Sequence, residues 1–353
     1  MSSIDDLIRS AHEKGASDVF LSAGSSPVVR VNDVNHSTKS SLLTLSQLNR
    51  ILDDYLASYD KKMLEEQGMV VTAHHESNMN LRLSIYKSNH TLDIAIRLLP
   101  TIPPTLEEIH FPDKAKQWAI DTFKPGVMFV TGKRGSGLST TLASIAQYIS
   151  NQYSRSILII SDVIEFPITS KHSFIEKIAL NRYDNPRNAL EQAIQYARNF
   201  QTVIIDSHAI TGIGYMALLL AQGRNSQIYC TIHEDNLPRW VEELILQAPY
   251  SQEEARKELS VSIMGEVNQC LVPTLTQKRV GAYRIMLGTP AIRALILEEK
   301  TAHMHSVIRV SRQLGMMSRD DSLLELVNEK TISKEVALRY ATYPDQFMKG
   351  QRV

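Results

Sequence analysis

A glycine-rich stretch between a strand pattern and a helix pattern constrains the fold of this chain more than any other feature. Residues 126–130 form a short apolar run that ends at Thr131, and apolar residues recur at helical spacing from Leu138 to Tyr153. The intervening segment Gly132–Ser139 has the sequence Gly-Lys-Arg-Gly-Ser-Gly-Leu-Ser. Strand, glycine turn and helix is the order of a phosphate-binding loop, in which backbone N–H groups and the helix N-terminus surround phosphate oxygens.

The loop departs from the phosphate-binding pattern at one position. The pattern G-x-x-x-x-G-K-[ST] has a lysine that contacts the β- and γ-phosphates, and this chain has Leu138 there. Lys133 and Arg134 occupy variable positions, and we expect their side chains to point into solvent. The residues that we expect to line a bound nucleotide are Gly132, Gly135, Ser136, Gly137, Leu138, Ser139 and Thr140.

Composition excludes several classes of function. The chain has 353 residues, enough for two or three domains of ~100–200 residues each. Its 38 basic and 38 acidic residues cancel and its aromatic content is 7%, so we expect no nucleic-acid binding. No run reaches the ~20 apolar residues of a spanning helix, so we expect no direct membrane insertion. The two cysteines, Cys230 and Cys270, are typical of a reducing cytoplasm. The histidines at 74–75 and at 303 and 305 lack cysteine partners at metal spacing, so we expect no zinc.

The pattern of apolar residues predicts two domains. Residues 1–99 combine helical stretches with alternating strand-like stretches, which predicts an α+β domain. Three prolines within residues 100–104 interrupt regular structure, and we place a linker over residues 100–110.

The remainder, residues 111–353, alternates short apolar strands with helices, which predicts a mostly parallel sheet with a nucleotide at its carboxyl edge. Strands are predicted at 157–160, 203–205 and 227–232. From Ser251 onward we expect a mainly helical part, because Ser251 and Glu254 form a capping-box pattern.

These residues resemble a known family, the PilT/PilU-type retraction ATPases of bacterial type IV pili within the secretion ATPase superfamily. The resemblance covers nearly the whole chain. It is carried by the segments 16–18, 21–24, 132–139, 162–166, 231–233, 285–293 and 315–316.

The resemblance implies an N-terminal PAS-like α+β domain followed by a RecA-like domain with C-terminal helices. It implies a ring of six, either of this chain alone or mixed with a PilT/PilU-type paralogue, in the cytoplasm at the inner-membrane base of the pilus machine. An inner-membrane platform protein of the pilus is then a partner. ATP or ADP with Mg is the implied cofactor, and arginines of the N-terminal domain reach the phosphates. Arg97 matches one of those arginines, and His90 occupies the position of the other.

Departures from the family pattern cluster at chemically important positions. Ser139 keeps the hydroxyl that would hold Mg, whereas the family's glutamate-aspartate pair is Ser161-Asp162 here, with Glu165 downstream. The strand at 203–205 is followed by Asp206, Ser207 and His208, where the family has glycine and a catalytic glutamate at the last two positions. Two further family residues, an arginine and an aspartate, are Ile210 and Thr211, and another arginine is Ile194.

Three hypotheses follow from these departures. The first is a ring subunit that has lost hydrolysis and acts as an accessory or regulatory component, with weakened binding of ATP or ADP. The second is an active retraction motor with a rearranged site that uses Asp206, Glu165, His233 and Arg97. In this site Ser139 and Asp206 would hold Mg. The third is a module that senses a nucleotide or another phosphate ligand. No residue is assigned as catalytic, and the candidates are Glu165, Asp206, His208 and His233.

Overall fold

The fold is taken from a computed structural model of the chain. It describes residues 4–32, 34–38, 41–88, 91–207, 212, 217, 226–276 and 278–344. The chain divides into two compact units. The first unit contains Met1–Pro103, Val163–Pro167 and Asn181–Asp184, and the second contains Pro104–Asp162, Ile168–Leu180 and Asn185–Val353.

The first unit is built around an antiparallel sheet. Its strands are β1 (Asp18–Ser22), β2 (Val28–Val31), β3 (Val34–Ser37), β4 (Met69–His75), β5 (Asn80–Lys87) and β6 (Leu92–Leu99). They pair in the order β3-β2-β1-β6-β5-β4. Its helices are α1 (Ile4–Glu13), α2 (Leu45–Tyr55) and α3 (Ser58–Gln67).

One face of this sheet forms the core of the first unit. In β6, Leu92, Ile94 and Ile96 are buried, whereas the alternate residues are only half-buried. This alternation follows from the two-residue period of a strand, which sends successive side chains to opposite faces. The helices add their apolar residues to the same cluster, among them Ile8, Leu48 and Leu64.

One of the two short segments from later in the chain, Asn181–Asp184, is held in the first unit by polar contacts. Arg182 donates to Asp60 Oδ1 at 2.6 Å and to Thr72 Oγ1 at 3.2 Å. The Asp60 side chain is only 2% exposed. Asn181 Nδ2 donates to the carbonyl oxygen of Val71 at 2.8 Å.

The second unit contains a mostly parallel sheet. Its strands are β7 (Gly126–Thr131), β8 (Ser156–Ser161), β9 (Phe174–Ala179), β10 (Thr202–Asp206), β11 (Gln227–Ile232), β12 (Ile263–Pro273) and β13 (Arg279–Leu287). They pair in the order β13-β12-β7-β11-β10-β8-β9, and β12 and β13 form the antiparallel pair. The helices described in this unit are α4 (Asp113–Lys116), α5 (Leu138–Gln152), α6 (Pro186–Tyr196), α7 (Leu237–Leu246), α8 (Gln252–Ser262), α9 (Pro290–Leu297), α10 (Met304–Val310), α11 (Arg319–Asn328) and α12 (Lys334–Tyr340).

Several predicted elements have close counterparts in the structure. The strands predicted at 157–160, 203–205 and 227–232 are β8, β10 and β11, and α8 begins directly after Ser251, which accepts a hydrogen bond from the N–H of Glu254. The prediction of a mainly helical part after Ser251 omitted β12 and β13. These strands were missed because buried polar residues interrupt the apolar pattern of β12.

Candidate functional site

Four parallel strands of the second unit end at the same edge of the sheet. They are β7, β8, β10 and β11, and they end at Thr131, Ser161, Asp206 and Ile232. The carboxyl edge is where open α/β sheets bind ligands. The glycine loop follows β7 directly, so it lies at this edge.

The glycines of the loop meet specific backbone requirements. Gly135 and Gly137 have φ angles of 82° and 89°, a region that favours glycine. A Cβ atom on Gly132 would lie 2.5 Å from the carbonyl oxygen of Gln269 and 2.6 Å from Ser136 Oγ, so a side chain does not fit there. Helix α5 begins at Leu138, and no side chain caps its N-terminus. The N–H groups of its first turn are therefore suited to an anion.

Leu138 occupies the lysine position of the loop as a packed apolar residue. It is 3% exposed, and its Cδ2 atom lies 3.4 Å from the point that a Cβ atom on Gly132 would occupy. Leucine provides neither a hydrogen-bond donor nor a charge. The loop therefore has the shape of a phosphate cradle without the cation of the pattern.

The hydroxyl group of Ser136 in the loop is buried and has no hydrogen-bond partner among the described residues. Ser136 is 6% exposed, and its Oγ atom is buried without a partner in the part of the chain that the structure describes. Leaving a buried polar group unsatisfied costs about 1–3 kcal/mol. An oxygen of a bound phosphate would satisfy this hydroxyl, so the glycine frame and Ser136 fit a phosphate group. Ser139 and Thr140, at the start of α5, are half-buried.

The two cationic residues of the loop are exposed. Lys133 and Arg134 lie in the exposed part of the loop, as expected from their variable positions. A solvated side chain there is not held against the inside of the loop.

A buried glutamine on β12 holds the loop, and sequence reasoning missed it. Gln269 is 3% exposed; its Nε2 donates to the carbonyl oxygen of Ser136 at 2.8 Å, and its Oε1 accepts from Thr141 Oγ1 at 2.5 Å. A Cβ atom on Gly137 would lie 2.9 Å from Gln269 Nε2. One side chain therefore connects the loop to the first turns of α5. A polar residue inside an otherwise apolar strand was the available signal.

A second polar group on β12 lies beneath the end of β7. Glu266 is fully buried and accepts from Thr131 Oγ1 at 2.7 Å and from Trp240 Nε1 at 2.8 Å. Arg284 neutralises it, since its Nη2 and Nε atoms donate to the two carboxylate oxygens at 2.8 and 3.0 Å. Asn268 Nδ2 donates to Thr131 Oγ1 at 2.9 Å. The residue before the loop is thus fixed by a neutral, hydrogen-bonded network.

The acidic candidates at the sheet edge are engaged with their neighbours. Asp206 Oδ1 accepts from Thr231 Oγ1 at 3.1 Å, and the N–H of Asp162 donates to the carbonyl oxygen of Asp206 at 3.1 Å. Ser207 Oγ donates to Asp162 Oδ1 at 2.6 Å. His233 follows β11 at the same edge and is half-buried. Among the described residues, no cluster of three or more His, Cys, Asp or Glu side chains could hold a metal ion.

Four predicted positions fall outside the residues that the structure describes. They are His208, Ile210, Thr211 and His90. Ile194 is described and is a buried residue of α6.

Two predicted site residues belong to the first unit, where both form ion pairs. Arg97 Nε lies 3.7 Å from Asp18 Oδ1, and the Arg97 side chain is 43% exposed. Glu165 accepts from Arg82 Nη1 at 2.8 Å. Arg82 lies directly opposite Arg97 on the neighbouring strand. Sequence reasoning did not find that these two arginines are neighbours, because this depends on the register of β5 and β6.

A family model for "type II/IV secretion system protein" matches residues 1–193, more than half of the chain. The chain belongs to this family. The match includes the whole N-terminal sheet and the glycine loop.

Two relatives of the chain are ATPases of type IV pili. The chain is 28% identical to the type IV pilus retraction ATPase PilT of Pseudomonas aeruginosa, over 98% of this chain and 99% of that protein. It is 27% identical to the type IV pilus ATPase PilU of the same organism, over 96% of this chain and 88% of that protein. The chain is thus a PilT/PilU-like secretion ATPase homologue, which confirms the resemblance found in the sequence.

Solved structures confirm the fold class. A crystal structure of the pilus retraction motor PilT with bound ADP matches with a TM-score of 0.83 and 25% identity, covering 99% of this chain and 100% of that one. The ATPase DotB of Legionella pneumophila matches with a TM-score of 0.76 and 19% identity, covering 98% and 95% of the two chains, and shares the fold. In the described part of this family member, no helix is both long and apolar enough to span a membrane.

Proposed function

We propose that this chain is a subunit of the type IV pilus retraction machinery that binds nucleotide weakly and does not hydrolyse it. It acts as an accessory or regulatory component of a ring of six, alone or together with a PilT/PilU-type paralogue. Its place is the cytoplasmic side of the inner membrane, where the ring contacts the platform protein of the pilus. The homology to PilT and PilU supports a role in the retraction machinery. The glycine loop, which has Leu138 at the lysine position, supports the loss of hydrolysis.

The observation that carries the proposal is Leu138. This side chain is buried at the position of the phosphate-binding lysine, and no cation replaces it within the loop. Lys133 and Arg134 are exposed instead. Loss of one charge-assisted contact to phosphate costs about 1.5–3 kcal/mol, which weakens binding roughly 10–150-fold.

The effect on the chemical step is larger than the effect on binding. In phosphoryl transfer the lysine and Mg neutralise charge on the phosphates as it is redistributed, so catalysis depends on their electrostatics. The family's catalytic glutamate is also absent, since its position is His208 in this sequence. Loss of a positioned general base lowers the reaction rate by a further factor of roughly 10²–10⁴. A slow motor does not tolerate either loss.

The residues that remain would still hold parts of a nucleotide. Gly132–Thr140 would contact the phosphates through backbone N–H groups, and Ser136 Oγ would donate to a phosphate oxygen. We propose Ser139 and Asp206 as the residues that would hold Mg, and Arg97 as a phosphate contact. Mg would supply charge neutralisation only.

The experiment that tests the proposal compares three forms of the full-length protein. These are the wild type, Leu138→Lys and Leu138→Met. Magnesium-dependent phosphate release is measured for each, together with ATP and ADP affinity by calorimetry. We expect no turnover by the wild type and roughly 10–150-fold tighter ATP binding by Leu138→Lys.

The methionine variant is the matched control, because it keeps an apolar side chain of similar volume at the same position. It should bind ATP like the wild type. Turnover by the wild type at the rate of an active retraction motor would contradict the proposal. So would a Leu138→Lys protein that folds normally and binds ATP no better than the methionine control.

A second candidate function is a nucleotide sensor. The Ser136 hydroxyl favours it, because this group has no partner among the described residues and a bound phosphate would satisfy it. Calorimetry with ATP and ADP separates the two functions: a sensor binds one of them tightly enough to be occupied at its cellular concentration, whereas the accessory subunit proposed above binds both only weakly.

A further inference from the structure

The second unit contains a cavity of about 300 Å³ that is distant in sequence from the glycine loop. It lies among α10, the turn Arg312–Leu314, α11 and the end of β13. Cationic and aromatic side chains dominate its lining. They are Arg284, His305, Arg309, Arg312, Arg319 and Tyr343. Its volume is at the lower limit for small-molecule sites, which are roughly 300–1,000 Å³.

Two of these arginines are buried and fixed. The Arg284 side chain is 5% exposed and is held by Glu266, and the Arg319 side chain is 12% exposed and is held by Asp235. Arg319 also donates to Asn268 Oδ1 at 2.6 Å. Their conformations are set by these contacts and their charges are compensated by Glu266 and Asp235, so they form a fixed wall of guanidinium groups without a net charge of its own.

The carboxylates that line the cavity are already used by the protein. Asp320 accepts from the backbone N–H groups of Thr342 and Tyr343 at 2.6 and 3.0 Å. Asp321 accepts from Ser318 and lies 3.1 Å from Arg312. Neither carboxylate neutralises the remaining arginine of the lining.

That remaining arginine is Arg309. It is exposed, and its guanidinium lies 5.9 Å from the ring centroid of Tyr343, a cation–π distance. Within the described residues no carboxylate forms an ion pair with it. Arg309 is therefore the group at the cavity mouth whose charge is available to a ligand.

His305 also lines the cavity. Burial is the main cause that lowers the pKa of His305; the charges of Arg284 and Arg319 lower it further, and the charge of Glu266 opposes them. A positive charge on His305 is thus unfavourable mainly because the side chain is buried.

We propose that the cavity binds a small oxyanion, a phosphate or carboxylate group carried by a small molecule. The charge that holds the anion is that of Arg309 at the mouth, because Arg284 and Arg319 are already paired with Glu266 and Asp235. Guanidinium groups bind such oxyanions through paired N–H donors, and the apolar lining from Ile308 and Leu324 accommodates the attached carbon skeleton. The site shares no lining residue with the glycine loop, and the proposal does not depend on the proposed loss of hydrolysis.

The experiment titrates the full-length protein with two probes at constant ionic strength. Inorganic phosphate represents a phosphate ester, and succinate represents a carboxylate metabolite. Binding is measured by calorimetry for the wild type, Arg309→Ala, Arg309→Lys and Arg187→Ala. Arg187 is the control, because it is a 67% exposed arginine on α6.

We expect at least one probe to bind the wild type, and the better probe identifies the class of ligand. Arg309→Ala should weaken that binding roughly 10–150-fold, the loss of one charge-assisted contact, whereas Arg309→Lys restores part of it and Arg187→Ala leaves it unchanged. Phosphate that binds at the glycine loop would be insensitive to Arg309. Binding that Arg309→Ala does not weaken, or no heat with either probe, overturns the proposal.

Discussion

The contact between Gln269 and Thr141 provides a direct test of how the glycine loop is held. Both residues are almost fully buried, at 3% and 1% exposed. Replacing Gln269 by leucine removes the partner of the Thr141 hydroxyl and of the Ser136 carbonyl in a single step. Replacing Thr141 by valine removes only the first of these contacts.

The expected losses follow from the number of buried groups left without a partner. Each costs about 1–3 kcal/mol, so Gln269→Leu should lower the free energy of unfolding by about 2–6 kcal/mol and Thr141→Val by about 1–3 kcal/mol. The double variant leaves only the Ser136 carbonyl without its partner, because the Thr141 hydroxyl and the Gln269 amide are both removed. Its loss should therefore be about 2–6 kcal/mol smaller than the sum of the single losses.

Tryptophan fluorescence during urea unfolding measures these losses of stability in the second unit of the chain, to which Gln269 and Thr141 belong. The chain has two tryptophans, Trp118 and Trp240, and both belong to the second unit. Gln195→Leu is the control, because Gln195 is an exposed glutamine on α6 and its replacement should change stability by under about 0.5 kcal/mol. Additive losses in the double variant, within about 0.3–0.5 kcal/mol, would refute the coupling between β12 and the loop.

Two further predictions concern the buried network near the loop. Arg284→Met should lower the free energy of unfolding by about 3–5 kcal/mol, because it leaves Glu266 buried without its cation. As a control, the same change at the exposed Arg187 should lower it by about 0–1 kcal/mol. Equal losses at both positions would show that Glu266 finds another partner. Because the folded-state pKa of His305 lies below its unfolded value, the protein should lose stability as the pH falls below about 6.5. Urea unfolding at pH 7 and pH 5 measures this loss, and His305→Gln should reduce it. The control His172→Gln, at an exposed position, should not. If wild type and His305→Gln lose the same stability between the two pH values, His305 is not the source of the pH dependence.

The elements predicted from the sequence are those set by local patterns. Strand β7, the loop and α5 are contiguous, so a glycine octet between an apolar run and a helical repeat identifies all three. The same holds for β10 and β11, which are short apolar runs buried on both faces.

The features that were missed depend on contacts between distant parts of the chain. Gln269 lies 128 residues from Thr141, and nothing near either residue in the sequence indicates the contact. Glu266, Asn268 and Gln269 are fully or almost fully buried because partners from other elements satisfy them, yet in the sequence they interrupt a strand pattern. The absence of the lysine from the glycine loop, by contrast, can be read from Leu138 in the sequence alone.

The contact between Arg182 and Asp60 has a consequence for how the chain can be divided. A fragment that ends at Pro103 contains all the strands of the antiparallel sheet but lacks Arg182. Asp60, which is 2% exposed in the full chain, would lose its ion-pair partner there and keep the hydrogen bond from Thr72. The strands of the N-terminal sheet are thus all made before residue 100, but the ion pair of Asp60 forms only after synthesis has passed residue 182, so part of the stability of this sheet depends on a stretch of chain that is made later.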